Sequence, residues 1–297
     1  MTVSSLAQAG ILAAVPAAGC YLTFSLRSTE TLCTDLQALA ASADGEACVV
    51  GIGLATLNAL NVTVDGMKEV AALTGVGVSS PATPAALWCW LRGDERGELL
   101  HRAREIETML AGSFELQQKI DGFKHKEGRD LTGYEDGTEN PEGEAAVAAT
   151  LLASEQPGLA GSSFVTAQLW RHNWREFDQM TQGAKDDCIG RRQSDNVEFS
   201  EAPPSAHVKR TAQESFTPEA FMSRRSMPWS DPHGSGLMFV CFANSFYPFE
   251  AQMKRMLGLE DGIVDGLFNF SQPQGTAYFW CPPKSNQGGL DLTALAL

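Results

Sequence analysis

Asp136 stands between two glycines in Gly133-Tyr134-Glu135-Asp136-Gly137-Thr138-Glu139-Asn140-Pro141. That stretch is too rich in Gly, Pro, Asn and acids to form a helix or strand. Glycines beside a functional group let the backbone approach closely or adopt φ > 0. Downstream, one histidine lies in Ser205-Ala206-His207-Val208-Lys209-Arg210, and a paired arginine opens Arg224-Arg225-Ser226-Met227-Pro228. A positioned carboxylate can take up and return a proton, an imidazole can ligate a metal, and a guanidinium can stabilise developing negative charge. Taken singly, each has a plainer reading: a surface loop, a structural histidine, a surface salt bridge. Three such groups in three separate short motifs call for a common explanation.

Those motifs carry a resemblance. Gly133, Asp136 and Gly137 match a GxxDG signature, and Thr138-Glu139-Asn140-Pro141 matches its usual extension. Together with Ile189-Gly190-Arg191, Ser205 to His207, Arg224 to Pro228 and Tyr278-Phe279-Trp280, they make the chain resemble the dye-decolourising peroxidase family, in its bacterial B-type branch. The similarity runs from about Gly10 to about Pro283. A lone GxxDG is a weak signal, whereas four further motifs in the right order and spacing make it a strong one.

The resemblance implies a set of roles. His207 corresponds to the axial ligand of a haem b iron, with its second ring nitrogen held by a tuning partner. Asp265 matches an aspartate in the family's late Asp-x-x-x-x-Phe-Ser region and is a candidate for that partner; an acid ending a helix or turn is the other reading. Asp136 corresponds to the distal acid/base and Arg224 to the distal cation. Arg224 is chosen over Arg225 because the family's arginine stands four residues before the proline of the Met/Leu-Pro pair. Ser226 fits a position that could hold a water or peroxide oxygen. Arg191 matches the arginine that pairs with a haem propionate, and Gly137 and Thr138 lie beside the cofactor.

The implied function is a peroxidase that reduces hydrogen peroxide through a ferryl-oxo intermediate and oxidises small phenolic or dye-like donors in one-electron steps. Because an aspartate of ordinary pKa near ~3.9 is ionised at neutrality, it can accept the first proton, and the family implies fastest oxidation of bulky donors at acid pH. A haem-storage or haem-delivery protein is the alternative, although a carrier needs no acid–arginine pair. A haem-free hydrolase built on Asp136 is disfavoured because no nucleophile or metal cluster is recognisable.

The elements that must position these groups are mixed. Cys20 to Ser25, Cys48 to Leu54, Ala86 to Leu91, Ser163 to Trp170, Gly236 to Phe242 and Thr276 to Trp280 read as strands. Thr29 to Ala41, Arg96 to Leu110 and Tyr247 to Met256 read as helices, and Glu176 to Gln182 as the start of one. Two halves of similar order suggest a duplicated α+β unit, residues 1–141 and 142–297. The resemblance implies two ferredoxin-like domains with antiparallel sheets packed face to face and a haem pocket mainly in the C-terminal half.

Bulk properties bound the partners. A length of 297 residues suits two domains. Hydrophobic content of 43% and charged content of 20% are those of an ordinary globular protein. A net charge of −14 argues against nucleic acid or an anionic membrane as partner. Seven scattered cysteines without a CxxC pair suit buried free thiols in a reducing compartment. No Lys or Arg precedes Arg27, and Pro16 interrupts the apolar run from Ala9 to Cys20, so that run reads as the lead into a first strand rather than an export signal. The expectation is a cytoplasmic homo-oligomer. Trp170, Trp174, Trp229, Tyr247 and Trp280 read as core aromatics, or as relays to bulky donors. The tail from Gly288 to Leu295 reads as a flexible terminus, with a faint likeness to peptides that load some family members into a protein shell.

Overall fold

Strand alternation decides the architecture. In a computed structural model that describes residues 2–297, Tyr21, Trp88 and Trp90 point to one side of their sheet while Leu22 and Cys89 point to the other, and all five are 1% exposed or less. The elements that build the main sheet and the site are, in order, β1 (Ala18–Leu26), α1 (Leu32–Ser42), β2 (Cys48–Ile52), β3 (Leu87–Gly93), α2 (Arg96–Leu110), β4 (Phe114–Phe123), α3 (Gly143–Thr150), β5 (Ser163–His172), α4 (Trp174–Gln179), α5 (Gln182–Ile189), α6 (His207–Arg210), β6 (Ser223–Arg224), β7 (Met227–Asp231), β8 (Gly234–Ala243), α7 (Tyr247–Met256) and β9 (Ser271–Cys281).

One nine-stranded antiparallel sheet results, made of two halves, β2-β3-β1-β4 from the first part of the chain and β7-β8-β5-β9, with β6 also beside β8, from the second. The halves face each other across a shared interior and also meet at both edges, through Gly122↔Trp229 and Trp280↔Ile52. The interior is filled by Tyr21, Val49, Trp88 and Trp90 from one half and Val165, Val240, Phe242 and Phe279 from the other. This is the α+β arrangement of two similar units that the sequence suggests.

Helices cover the outer faces. In α2, Leu99, Ala103, Ile106 and Leu110 recur at helical spacing and are buried against the first half of the sheet. Its start is fixed by the Glu95 carboxylate, which accepts hydrogen bonds from the Gly97 and Glu98 backbone N–H groups. On the second half, α7 lays Phe249, Met253 and Met256 over residues such as Phe239 and Tyr278.

Some elements escape the sequence pattern. β4 (FELQQKIDGF) buries only Phe114, Ile120 and Gly122, so its alternation is too weak to read. β9 starts five residues before the expected Thr276, because a register shift between Pro273 and Gly275 accommodates the proline. The C-terminal tail is not free. Leu290, Leu292 and Leu295 are buried in the core around α1, and the Leu290 N–H donates to Ala40 O at 2.9 Å. Three leucines supply the apolar area that a flexible terminus lacks. For a shell protein to take this tail, those leucines would first have to leave the core. All seven cysteines are free, and only Cys33 is exposed. Among the described residues no helix is long and apolar enough to cross a membrane.

Candidate active site

Alternation along β5 sends Gln168, Trp170 and His172 to the outer face of the second half of the sheet, where they line a cavity with Leu237 and Phe239 of β8. Phe249, Met253 and Met256 of α7 roof it, and the loop carrying Tyr134 and Asp136 closes one side. The cavity volume between them is about 120 Å³, and it opens to solvent. Asp136, His207 and Arg224, far apart in the chain, all border this space.

His207 begins the short helix α6. Pro203 and Pro204 precede it, and the Ala206 N–H donates to Pro203 O at 2.9 Å. Helix α5 ends at Gly190 with φ +88°, where a Cβ would lie 2.3 Å from a Val208 methyl carbon, so only glycine lets the two helices abut. The His207 Nδ1 is 2.8 Å from Oδ2 of Asp265, whose side chain is fully buried. The other Asp265 oxygen accepts the Leu267 N–H at 2.8 Å. Asp265 thus caps the 3-10 turn Gly266–Asn269 and anchors the imidazole. Nε2 is left for the cavity.

Arg224 and the Asp136 loop are built together. Arg224 sits in β6, paired with Cys241 of β8. Asn140 grips its backbone twice, donating from Nδ2 to Arg224 O at 3.0 Å and accepting the Arg224 N–H on Oδ1 at 2.8 Å. Gly137, at φ +80°, makes room for this, because a Cβ there would stand 2.8 Å from Asn140 Nδ2. Arg224 Nε is buried with no partner among the described residues, and so is Ser226 Oγ. Arg225 lies outside the first cavity's lining. Its guanidinium donates to the carbonyls of Arg224 and Leu12, both at 2.9 Å, so it serves as a backbone strut and not as a surface salt bridge.

The other expected residues lie further out. Ser226 and Gly137 line an adjoining chamber that shares Asp130, Asp136 and Arg224 with the first and reaches Lys124, His125 and Arg129. Arg129 donates to Gly133 O, Gln193 O and Glu135. Thr138 borders neither chamber and accepts a hydrogen bond from Asn196 Nδ2 at 3.0 Å. Arg191, only 11% exposed, pairs with Glu139 at 2.6 Å and Glu198 at 2.7 Å, outside the first cavity's lining.

The family described as Dyp-type peroxidase, C-terminal matches residues 127–286, more than half of the chain and the part that carries all three cavity groups. The chain belongs to the Dyp-type peroxidase family. A dye-decolorizing peroxidase of Rhodococcus erythropolis is 30% identical over 251 residues, 81% of this chain and 73% of that protein. Another, of Mycolicibacterium paratuberculosis, is 28% identical over 71% of this chain and 61% of its own length. Among solved structures, a Shewanella oneidensis protein assigned to the Dyp type superposes with TM-score 0.86 at 26% identity, covering 99% of this chain and 98% of that one. A single-residue variant of Rhodococcus jostii DypB in complex with heme superposes with TM-score 0.84 at 22% identity, over 92% and 94% of the two chains. Family membership makes the chain a haem peroxidase by class.

The cavity of this family member suits such a group. Its walls are largely apolar, through Ile189, Met222, Leu237, Phe239, Phe249 and Met256, and one anchored imidazole presents a free nitrogen. Among the described residues no cluster of three or more His, Cys, Asp or Glu side chains could hold a bare metal ion.

Two polar constellations in the same wall are not visible as motifs. His172 is held between Asp130 Oδ1, at 3.0 Å from Nε2, and Ser271 Oγ, at 2.8 Å from Nδ1. Tyr134 donates to Asp186 Oδ1 at 2.5 Å. Their partners lie 42 to 99 positions apart, so only the fold joins them. Burial raises the Asp130 carboxyl, but hydrogen bonds from His172 and Thr132 outweigh it and hold the group below the ordinary carboxylate range. A depressed folded-state pKa contributes stability above the unfolded value near ~3.9 that is lost as pH falls through the folded value. Asp130→Ala is accordingly expected to cost about 3 kcal/mol at neutral pH and to flatten the stability loss below about pH 4. Urea titrations of both proteins from neutral pH into the acid range check this; parallel pH curves would contradict it.

Proposed function

We propose that this protein is a haem b peroxidase that consumes hydrogen peroxide and oxidises small phenolic or dye-like donors one electron at a time. The observation that carries the reading is the convergence on one apolar cavity of the Asp265-anchored His207, the carboxylate of Asp136 and the guanidinium of Arg224. When bound, haem supplies the iron that takes the peroxide oxygen and holds the two oxidising equivalents passed to donors.

In this reading the chain's own groups do the following. His207 Nε2 would hold the iron, and the Asp265 carboxylate would keep the Nδ1 proton partnered, making the imidazole a stronger donor. Asp136 would take a proton from one oxygen of hydrogen peroxide and return it to the other, which leaves as water. Arg224 stabilises the charge on that departing oxygen with a guanidinium that never deprotonates. Ser226, with its unpartnered hydroxyl in the adjoining chamber, holds a water or peroxide on the way in. Arg191 takes a propionate by exchanging one of its two glutamates, and Gly137 and Thr138 keep the loop against the cofactor edge. The acid–arginine pair favours catalysis over haem storage or delivery. We place the enzyme, as a homo-oligomer, in the cytoplasm, where free buried thiols persist.

Titration of the chain with haem b tests the reading. One equivalent per chain giving a sharp Soret endpoint supports it, and no saturable uptake overturns it. Asp265→Asn is expected to bind haem with a raised iron reduction potential, because a neutral amide no longer withdraws the Nδ1 proton. Spectroelectrochemical titration checks this, and an unchanged potential counts against Asp265 as the tuning partner.

A further inference from the structure

Tyr134 lies two residues from Asp136 in the loop that closes the cavity, and its ring forms part of the cavity wall. Its hydroxyl donates to Asp186 Oδ1 at 2.5 Å, and both residues are buried, at 5% and 8% exposure. The same carboxylate oxygen accepts from Gln182 Nε2 at 2.8 Å and from the Gln193 N–H at 3.2 Å. No cationic side chain pairs with this carboxylate among the described residues. An O–H with a built-in base on a cavity wall is a group that can give up an electron and a proton together.

The other aromatic residues lack one half of this arrangement. Tyr21 Oη and the indole nitrogens of Trp88, Trp90 and Trp280 are buried without any acceptor among the described residues. Trp170 borders the cavity but donates to the neutral amide oxygen of Gln168, which is no base. Trp229 donates to a backbone carbonyl, and so does Tyr247. Tyr278 has a carboxylate, Glu250 at 3.3 Å, but does not border the cavity.

Resting on the peroxidase reading, we infer that Tyr134 is a redox-active residue of this enzyme, with Asp186 as the acceptor of its phenolic proton. The step balances within the chain and its prosthetic group. One electron passes from the phenol to the peroxide-oxidised haem, which is reduced by one equivalent. The O–H bond breaks, the proton moves to Asp186 Oδ1, and a neutral phenoxyl radical and a carboxylic acid remain. An electron from an organic donor and the return of the proton restore the pair. Burial and the Asp186 carboxylate push the phenol's pKa up. Beyond the ring, Phe177 packs between this cluster and the half-buried Trp174, with ring centroids 5.9 Å apart.

Freeze-quench electron paramagnetic resonance of the haem-loaded full chain after one equivalent of hydrogen peroxide tests this. The expected result is a radical signal that narrows when ring-deuterated tyrosine is incorporated. It is lost in Tyr134→Phe and diminished in Asp186→Asn, while Tyr278→Phe retains it. Decay of the oxidised enzyme should be slower in D₂O for the wild type and insensitive to D₂O in Tyr134→Phe. A wild type whose Soret band responds to peroxide without any tyrosine radical, or a Tyr134→Phe variant with an undiminished signal, overturns the inference and leaves the peroxidase reading standing. A wild-type Soret band indifferent to peroxide overturns both.

Discussion

Replacing His207 by alanine is expected to abolish haem uptake while leaving the fold in place. His207 is 25% exposed and stands at the start of a four-residue helix, so little apolar packing is lost. What the substitution removes is the nitrogen facing the cavity and the partner of a fully buried carboxylate, Asp265. Leaving that carboxylate one hydrogen bond short costs roughly 1–3 kcal/mol, a destabilisation that a protein of ordinary stability survives. The expected outcome is a cooperative denaturant transition at a lower midpoint, with no Soret band after reconstitution. A normal Soret band in His207→Ala would remove this residue from the iron. The double variant His207→Ala, Asp265→Ala separates the two effects: stability should partly recover, and haem binding should not.

The second large effect is on peroxide cleavage, and the two distal groups are not expected to be equal. Three carboxylates line the cavity, Asp130, Glu135 and Asp136, whereas Arg224 is the only lysine or arginine in its lining among the described residues. Loss of Asp136 leaves other acids nearby; loss of Arg224 leaves no fixed cation. The arginine is also the more rigidly held, through its strand pairing and both bonds from Asn140. Arg224→Leu is expected to slow the peroxide-dependent Soret change by about 10²–10³-fold, the range for removing one preorganised charge stabiliser. Asp136→Asn should fall nearer the lower end of the roughly 10²–10⁴-fold range for a proton-transfer group. Stopped-flow mixing of each haem-loaded variant with peroxide measures both. A larger loss in Asp136→Asn would make proton transfer the dominant contribution.

How much of this could be read in the chain follows from how far each interaction reaches. Asp136, His207 and Arg224 each sit in a local motif whose neighbours have a local job: Gly137 makes room for Asn140, Pro203 and Pro204 lead into His207, and the chain runs from β6 through Ser226 straight into β7. Such signals survive in sequence. Helix α2 does too, with boundaries at Arg96 and Leu110 where the spacing puts them, because its apolar stripe and its cap are both contiguous. His172 and Asp186 carried no signal, since their partners are brought to them only when β5, β9 and the Asp136 loop meet. The tail leucines read as flexible for the same reason; nothing nearby in sequence says that α1 waits to cover them. Arg191 is a middle case. Its motif is local, but its glutamate partners, Glu139 and Glu198, come from two different loops.

The central claim is that one cavity joins a haem held by His207 to a distal pair that cleaves peroxide. A visible absorption spectrum of the haem-loaded protein before and after one equivalent of hydrogen peroxide tests it most directly. The account predicts a Soret band that shifts within seconds and returns toward its starting position when a phenol or dye is added. A Soret band that peroxide only bleaches slowly, with no recovery on adding donor, would contradict it and make the cavity a haem-carrying site.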